Sequence, residues 1–71
     1  MTTYRLGSSQ GVYTPGLIKW AINGARTHAD RPQMIKLIAE GWGVPRTAAE
    51  ALILKKVPYA VEGETVVFVV Q

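Results

Sequence analysis

The stretch Ile35 to Leu54, IKLIAEGWGVPRTAAEALIL, decides the fold of this chain. Together with Met34, the residues Ile35, Leu37 and Ile38 recur at helical spacing and give a broad apolar face. Gly41 is expected to stop that helix, and Gly41-Trp42-Gly43 to turn the chain. The second helix has two candidate starts. Val44-Pro45 puts proline at a first helical position, where its missing N–H is not needed. Thr47-Ala48-Ala49-Glu50 is a capping-box pattern, with Thr47 as cap and Glu50 bonding back. The reading adopted is a start at Pro45, with Thr47 in the first turn, and a run to about Lys56. Ala49, Leu52 and Ile53 then share one face, and Lys55 and Lys56 suit the negative end of the helix dipole.

Upstream, Asp30 stands three residues before Gln33, the spacing of a reciprocal cap, and Pro32 fits the first turn that follows. Residues 25–31, ARTHADR, read as a polar connection. An earlier helix is expected from Thr14-Pro15, with Leu17, Ile18, Ala21 and Ile22 as its stripe, Trp20 at the stripe's edge and Asn23-Gly24 as its end. Thr2 to Leu6 alternates weakly and is a candidate strand with Tyr4 and Leu6 on one face. Gly7 to Gly11, GSSQG, reads as a turn, with a phosphate-cradling nest as the sharper alternative.

Downstream, Val57-Pro58 breaks the helical pattern. Tyr59 to Val61 and Thr65 to Val70 are rich in β-branched and aromatic residues, with Glu62-Gly63 as the hairpin turn. Val66, Phe68 and Val70 fall on one face of the last strand, Val67 and Val69 on the other. Apolar residues on both faces predict a central strand or a subunit contact. The expected fold is α+β: a three-helix core containing a helix-turn-helix, a C-terminal antiparallel hairpin and a candidate N-terminal strand.

The chain has 71 residues, of which 48% are hydrophobic, so it is expected to form one small domain rather than a disordered tail. A core this small is marginal, which makes a homodimer a candidate reinforcement. There is no cysteine, hence no disulfide or thiolate metal site. The net charge of +3 permits a polyanionic partner without demanding one. Its distribution is uneven: all eight basic residues and only three acidic ones precede Glu62. No apolar run approaches membrane-spanning length, and the N-terminus lacks a basic-then-apolar pattern, so a cytoplasmic location is expected.

Residues 35–54 resemble the bacterial helix-turn-helix. Ala39 matches the small residue where the helices cross, Gly43 the turn glycine, Val44 the apolar residue after it, and Ala49 and Leu52 the buried positions of the second helix. With a hairpin following, the arrangement resembles a winged helix-turn-helix. The resemblance implies duplex DNA as partner and a small transcriptional regulator or accessory factor as function. It points to Arg46, Thr47, Glu50 and Ala51 as groove-facing positions, with Arg46 on a guanine edge and Glu50 on a cytosine amine. Lys36, Lys55 and Lys56 become phosphate contacts. Ala48, Ala49 and Ala51 offer the bases little, and Trp42 is large for a turn. Glu62 and Glu64 would be repelled by phosphates within about 8 Å, so the hairpin tip is expected to stay clear of DNA.

Residues 4–18, YRLGSSQGVYTPGLI, resemble the opening of looped-hinge-helix antitoxins and transition-state regulators through Gly7, Ser9, Gly11, Val12 and Pro15. That resemblance also implies DNA binding by a dimer. The alternative to DNA is a protein-interaction or homodimerisation module using a Val- and Trp-rich surface. His28 near Asp30 is the one candidate acid–base pair, and it reads as loop surface; no metal ligand set, nucleophile motif, cofactor or small-molecule substrate is evident, so no enzyme is expected. Trp20 and Trp42 are expected in the core or an interface.

Overall fold

The computed structural model describes residues 1–7 and 14–71. In chain order the elements are β1 (Thr2–Gly7), α1 (Pro15–Thr27), α2 (Arg31–Trp42), α3 (Arg46–Ile53), β2 (Tyr59–Glu62) and β3 (Thr65–Val70). The N-terminal strand joins the hairpin, giving an antiparallel sheet in the order β1-β3-β2. The expected α+β class is therefore what the chain adopts, and β3 is the central strand. Most of the GSSQG loop and the segment around Val12 lie outside the described residues.

The helices cover one face of the sheet. Leu6, Val66 and Phe68 join Ile18, Ile22, Ile35, Ile38, Leu52 and Ile53 in one core cluster. Strand register puts Tyr4 and Tyr59 on either side of Phe68, so three aromatic side chains cross the sheet in a row. The Tyr4 and Phe68 rings stack at 5.6 Å between centroids, a cross-strand pair of the kind that fixes register. On the opposite face Arg5 of β1 reaches Glu62 of β2 at 3.7 Å, spanning the central strand. Val67 lies on that outer face, between Arg5 and Ala60, and is only 7% exposed, whereas Val69 is 37% exposed. The hairpin turn is Gly63-Glu64, one residue later than expected. Gly63 takes φ +61°, the backbone region that favours glycine at the first position of a two-residue loop.

Caps set the helix starts. The Thr14 hydroxyl accepts from the Leu17 N–H at 3.2 Å with Pro15 next in line, as the sequence implied. Asp30 accepts from the Gln33 N–H at 3.2 Å, but the reciprocal bond is absent: the Asp30 N–H donates to Nδ1 of His28 at 2.9 Å instead. His28 thus carries the turn between α1 and α2 and does not pair with the Asp30 carboxylate.

Two helix ends differ from expectation. Asn23-Gly24 does not end α1, which continues to Thr27. Helix propensity is a weak prior, and here it loses to burial of Ala25 and to the bonds that Arg26 makes further on. Gly41 likewise sits inside α2. The stop comes at Gly43, with φ +68°. The Val44 N–H then reaches back to the Ala39 carbonyl at 3.1 Å, closing the helix end.

Candidate nucleic-acid interface

The turn at Gly43 hands the chain to α3, which is eight residues long, not the twelve from Pro45 to Lys56. Pro45 stands outside as the N-cap with φ −60° and ψ 148°, and no side chain caps the helix. Neither expected start is therefore realised as drawn. Pro45 contributes its carbonyl instead, which accepts from the Ala48 and Ala49 N–H groups at 3.0 and 3.1 Å. Thr47 does not act as a cap.

Five consecutive-turn positions of α3, Ala48, Ala49, Ala51, Leu52 and Ile53, are buried against the core. What remains outward is Arg46, Thr47 and Glu50, with Leu54 just past the end. Ala51, one of the groove-facing positions implied by the resemblance, is 3% exposed and cannot reach a ligand. The physical reason is spacing. In an eight-residue helix, positions two turns deep in the apolar stripe leave only residues 46, 47 and 50 on the opposite side.

Arg46 and Glu50 are brought together. Nε of Arg46 lies 3.4 Å from Oε1 of Glu50, an i,i+4 pair whose side chains are 62% and 44% exposed. Thr47 is exposed beside them, and Lys36 is exposed on α2. Lys55 and Lys56 follow α3 rather than end it. They are exposed, and Lys56 takes φ +53°, a left-handed conformation that turns the chain toward β2. The expected use of both lysines on the helix dipole is thus replaced by another cation.

That cation is Arg26, which sequence reading placed in a polar connection. Its Nε donates to the Leu52 carbonyl at 3.0 Å and a terminal nitrogen to the Val57 carbonyl at 2.8 Å. The same guanidinium stands 5.3 Å from the Tyr59 ring centroid. Carbonyls at a helix end lack partners within the helix, and a positive charge there also suits the dipole. One of the eight cations is consequently structural. The signal that could have found it is weak: an Arg two residues past the expected helix end at Asn23-Gly24.

The second prominent surface is a cleft of about 650 Å³ between α1 and α2, lined by Trp20, Gly24, Met34, Leu37, Gly41 and Trp42 among others. Trp20 is 75% exposed, so it is not core. Trp42 is half-buried and its Nε1–H donates to the Gly7 carbonyl at 3.1 Å, tying α2 to the end of β1. Among the described residues no cluster of three His, Asp or Glu side chains is placed to hold a metal ion, and no helix is long and apolar enough to cross a membrane. Compared with protein-family models, with curated proteins and with solved structures, the chain matches none, so its geometry carries the functional reading.

Proposed function

We propose that this domain binds duplex DNA without catalysing a reaction, as a small regulator or accessory factor, through the first turn of α3. The observation that carries the reading is the left-handed bend at Gly43. It sends the chain into α3 with one side sealed in the core and Arg46 and Thr47 exposed on the other. A recognition helix presents its N-terminal side chains to base edges in the same way. The pair with Glu50 is no obstacle. Exposed i,i+4 ion pairs are worth about 0.3–0.5 kcal/mol, less than a bidentate guanidinium–guanine contact of about 1–3 kcal/mol. Released, Arg46 reads a guanine edge and Glu50 accepts from a cytosine amine. Lys36, Lys55 and Lys56 are exposed and supply phosphate contacts. The hairpin tip carries Glu62 and Glu64 and stays away from the backbone.

Fluorescence anisotropy with mixed-sequence duplexes tests this. Neutralising three or four phosphates gives a log–log salt slope of roughly −3 to −4. Micromolar protein that leaves the anisotropy unchanged at about 50 mM salt overturns the proposal.

A further inference from the structure

We propose that the α1–α2 face is a homodimer contact, in which Trp20 of each protomer seats in the cleft of the other. The contact is separate from the DNA reading, because no α3 residue lines the cleft.

Three observations converge on a second copy. The first is shape. Trp20 forms one wall of the depression and projects from α1 at 75% exposure, with Leu17 and Leu37 each 49% exposed nearby in the two helices. A projection and a depression on one surface are what a two-fold, self-complementary contact requires. Gly24 and Gly41 deepen the depression. A Cβ built on either meets no heavy atom within 4 Å, so no packing inside the protomer calls for glycine at these helical positions. Both cost helix stability relative to alanine, and both leave room for an indole.

The second is charge. A protein of net charge +3 repels its own copies. Among the described residues lining the cleft there is no Lys, Arg, Asp or Glu; His28 is the one titratable side chain. Within the cleft two identical surfaces meet without opposing like charges. Interface cores are depleted in charge and enriched in Trp and Met in the same way.

The third is area. An aromatic side chain buries roughly 150–250 Å², so Trp20 at 75% exposure brings roughly 150 Å². A standard interface takes about 800 Å² per partner. Trp20 alone supplies about a fifth of that, and the two leucines and the cleft walls add to it. These exposed apolar groups are the area the face offers toward such a contact.

Sedimentation velocity from about 1 to 300 µM, read alongside tryptophan emission, tests the contact. The expected result is a mass that rises toward twice the protomer and a blue shift of emission over the same range. Trp20→Lys and Leu37→Lys, both at exposed positions, remain monomeric with unchanged circular dichroism. Gly41→Leu, which fills the cleft, does the same. Wild-type protein that stays monomeric at the highest concentration overturns the proposal and leaves the cleft to a different apolar partner. A dimer that survives Trp20→Lys but is lost in Val69→Lys also overturns it, because the contact then lies on the sheet. DNA binding is measured separately on Trp20→Lys, so failure of either proposal is distinguishable from failure of the other.

Discussion

Arg26 and Leu52 are joined by a hydrogen bond of 3.0 Å from the guanidinium Nε to the backbone carbonyl, which links the end of α1 to the end of α3. The same side chain holds the Val57 carbonyl at 2.8 Å and lies over Tyr59, whose ring flanks Phe68 in the sheet. One residue thus ties two helices to the strand layer. Charged hydrogen bonds contribute about 1.5–3 kcal/mol, and deleting the donor leaves two carbonyls short of partners. Arg26→Ala is expected to lower stability by about 2–4 kcal/mol in urea denaturation. Arg26→Lys recovers only part of it, because an ammonium cannot present the planar fork. A loss below about 0.5 kcal/mol for Arg26→Ala means the clasp is not formed in solution.

Gly43 is the position where backbone conformation and the proposed function meet. At φ +68° an L side chain is strained, and the left-handed conformation costs a non-glycine residue about 1–2 kcal/mol. Gly43→Ala should lose about that much stability. Gly41→Ala should instead gain up to about 1 kcal/mol, since Gly41 sits in helical backbone with open space beside it. Thermal melts of the two variants shift in opposite directions; shifts of equal sign contradict the assigned helix end.

For Arg46, stability and binding are expected to separate. The side chain is 62% exposed and its ion pair with Glu50 is a surface pair, so Arg46→Ala should change stability by less than about 0.5 kcal/mol. In the proposed complex it should cost about 1–3 kcal/mol of affinity. Lys55→Ala and Lys56→Gly should each flatten the salt slope by about one, glycine being chosen at Lys56 to suit its φ of +53°. If Arg46→Ala unfolds the domain, the residue is structural and the site assignment falls.

The outer face of the sheet distinguishes two neighbouring valines. Val67 is 7% exposed and Val69 is 37% exposed. Val67→Lys should destabilise the fold by roughly 1–3 kcal/mol, whereas Val69→Lys should be nearly neutral. Equal effects on the urea midpoint would falsify the register in which Arg5, Val67 and Ala60 stand side by side.

Trp42 and Trp20 should behave oppositely as well. Trp42→Phe removes the donor to the Gly7 carbonyl and is expected to cost about 1 kcal/mol. Trp20→Gln, at a position 75% exposed, should leave the denaturation midpoint almost unchanged. A large loss from Trp20→Gln in dilute protein would place that ring inside the protomer.

The sequence by itself determined what depends on local chemistry. Thr14-Pro15 and Asp30 marked helix starts because their side-chain oxygens accept orphan N–H groups. Apolar period marked three helices and the hairpin, and apolar residues on both faces of Thr65–Val70 marked a strand that is either central or in a subunit contact. Gly43 stood out as a turn glycine only through the resemblance to a helix-turn-helix, since the residue pattern alone put the helix stop at Gly41. Tertiary structure decided what depends on distant partners. Nothing local to Asn23-Gly24 says that α1 continues, since the reward comes from carbonyls 26 and 31 residues away that Arg26 reaches. Nothing local to Ala51 says that it is buried, because its side of α3 is fixed by where the helix packs. Trp20 and Trp42 look alike in sequence, and only the packing of the end of α2 beside the end of β1 makes Trp42 a bonded anchor, while Trp20 is left exposed on α1. Period and capping are encoded within a few residues, whereas which face meets the core, and which surface is left open, is settled by long-range burial.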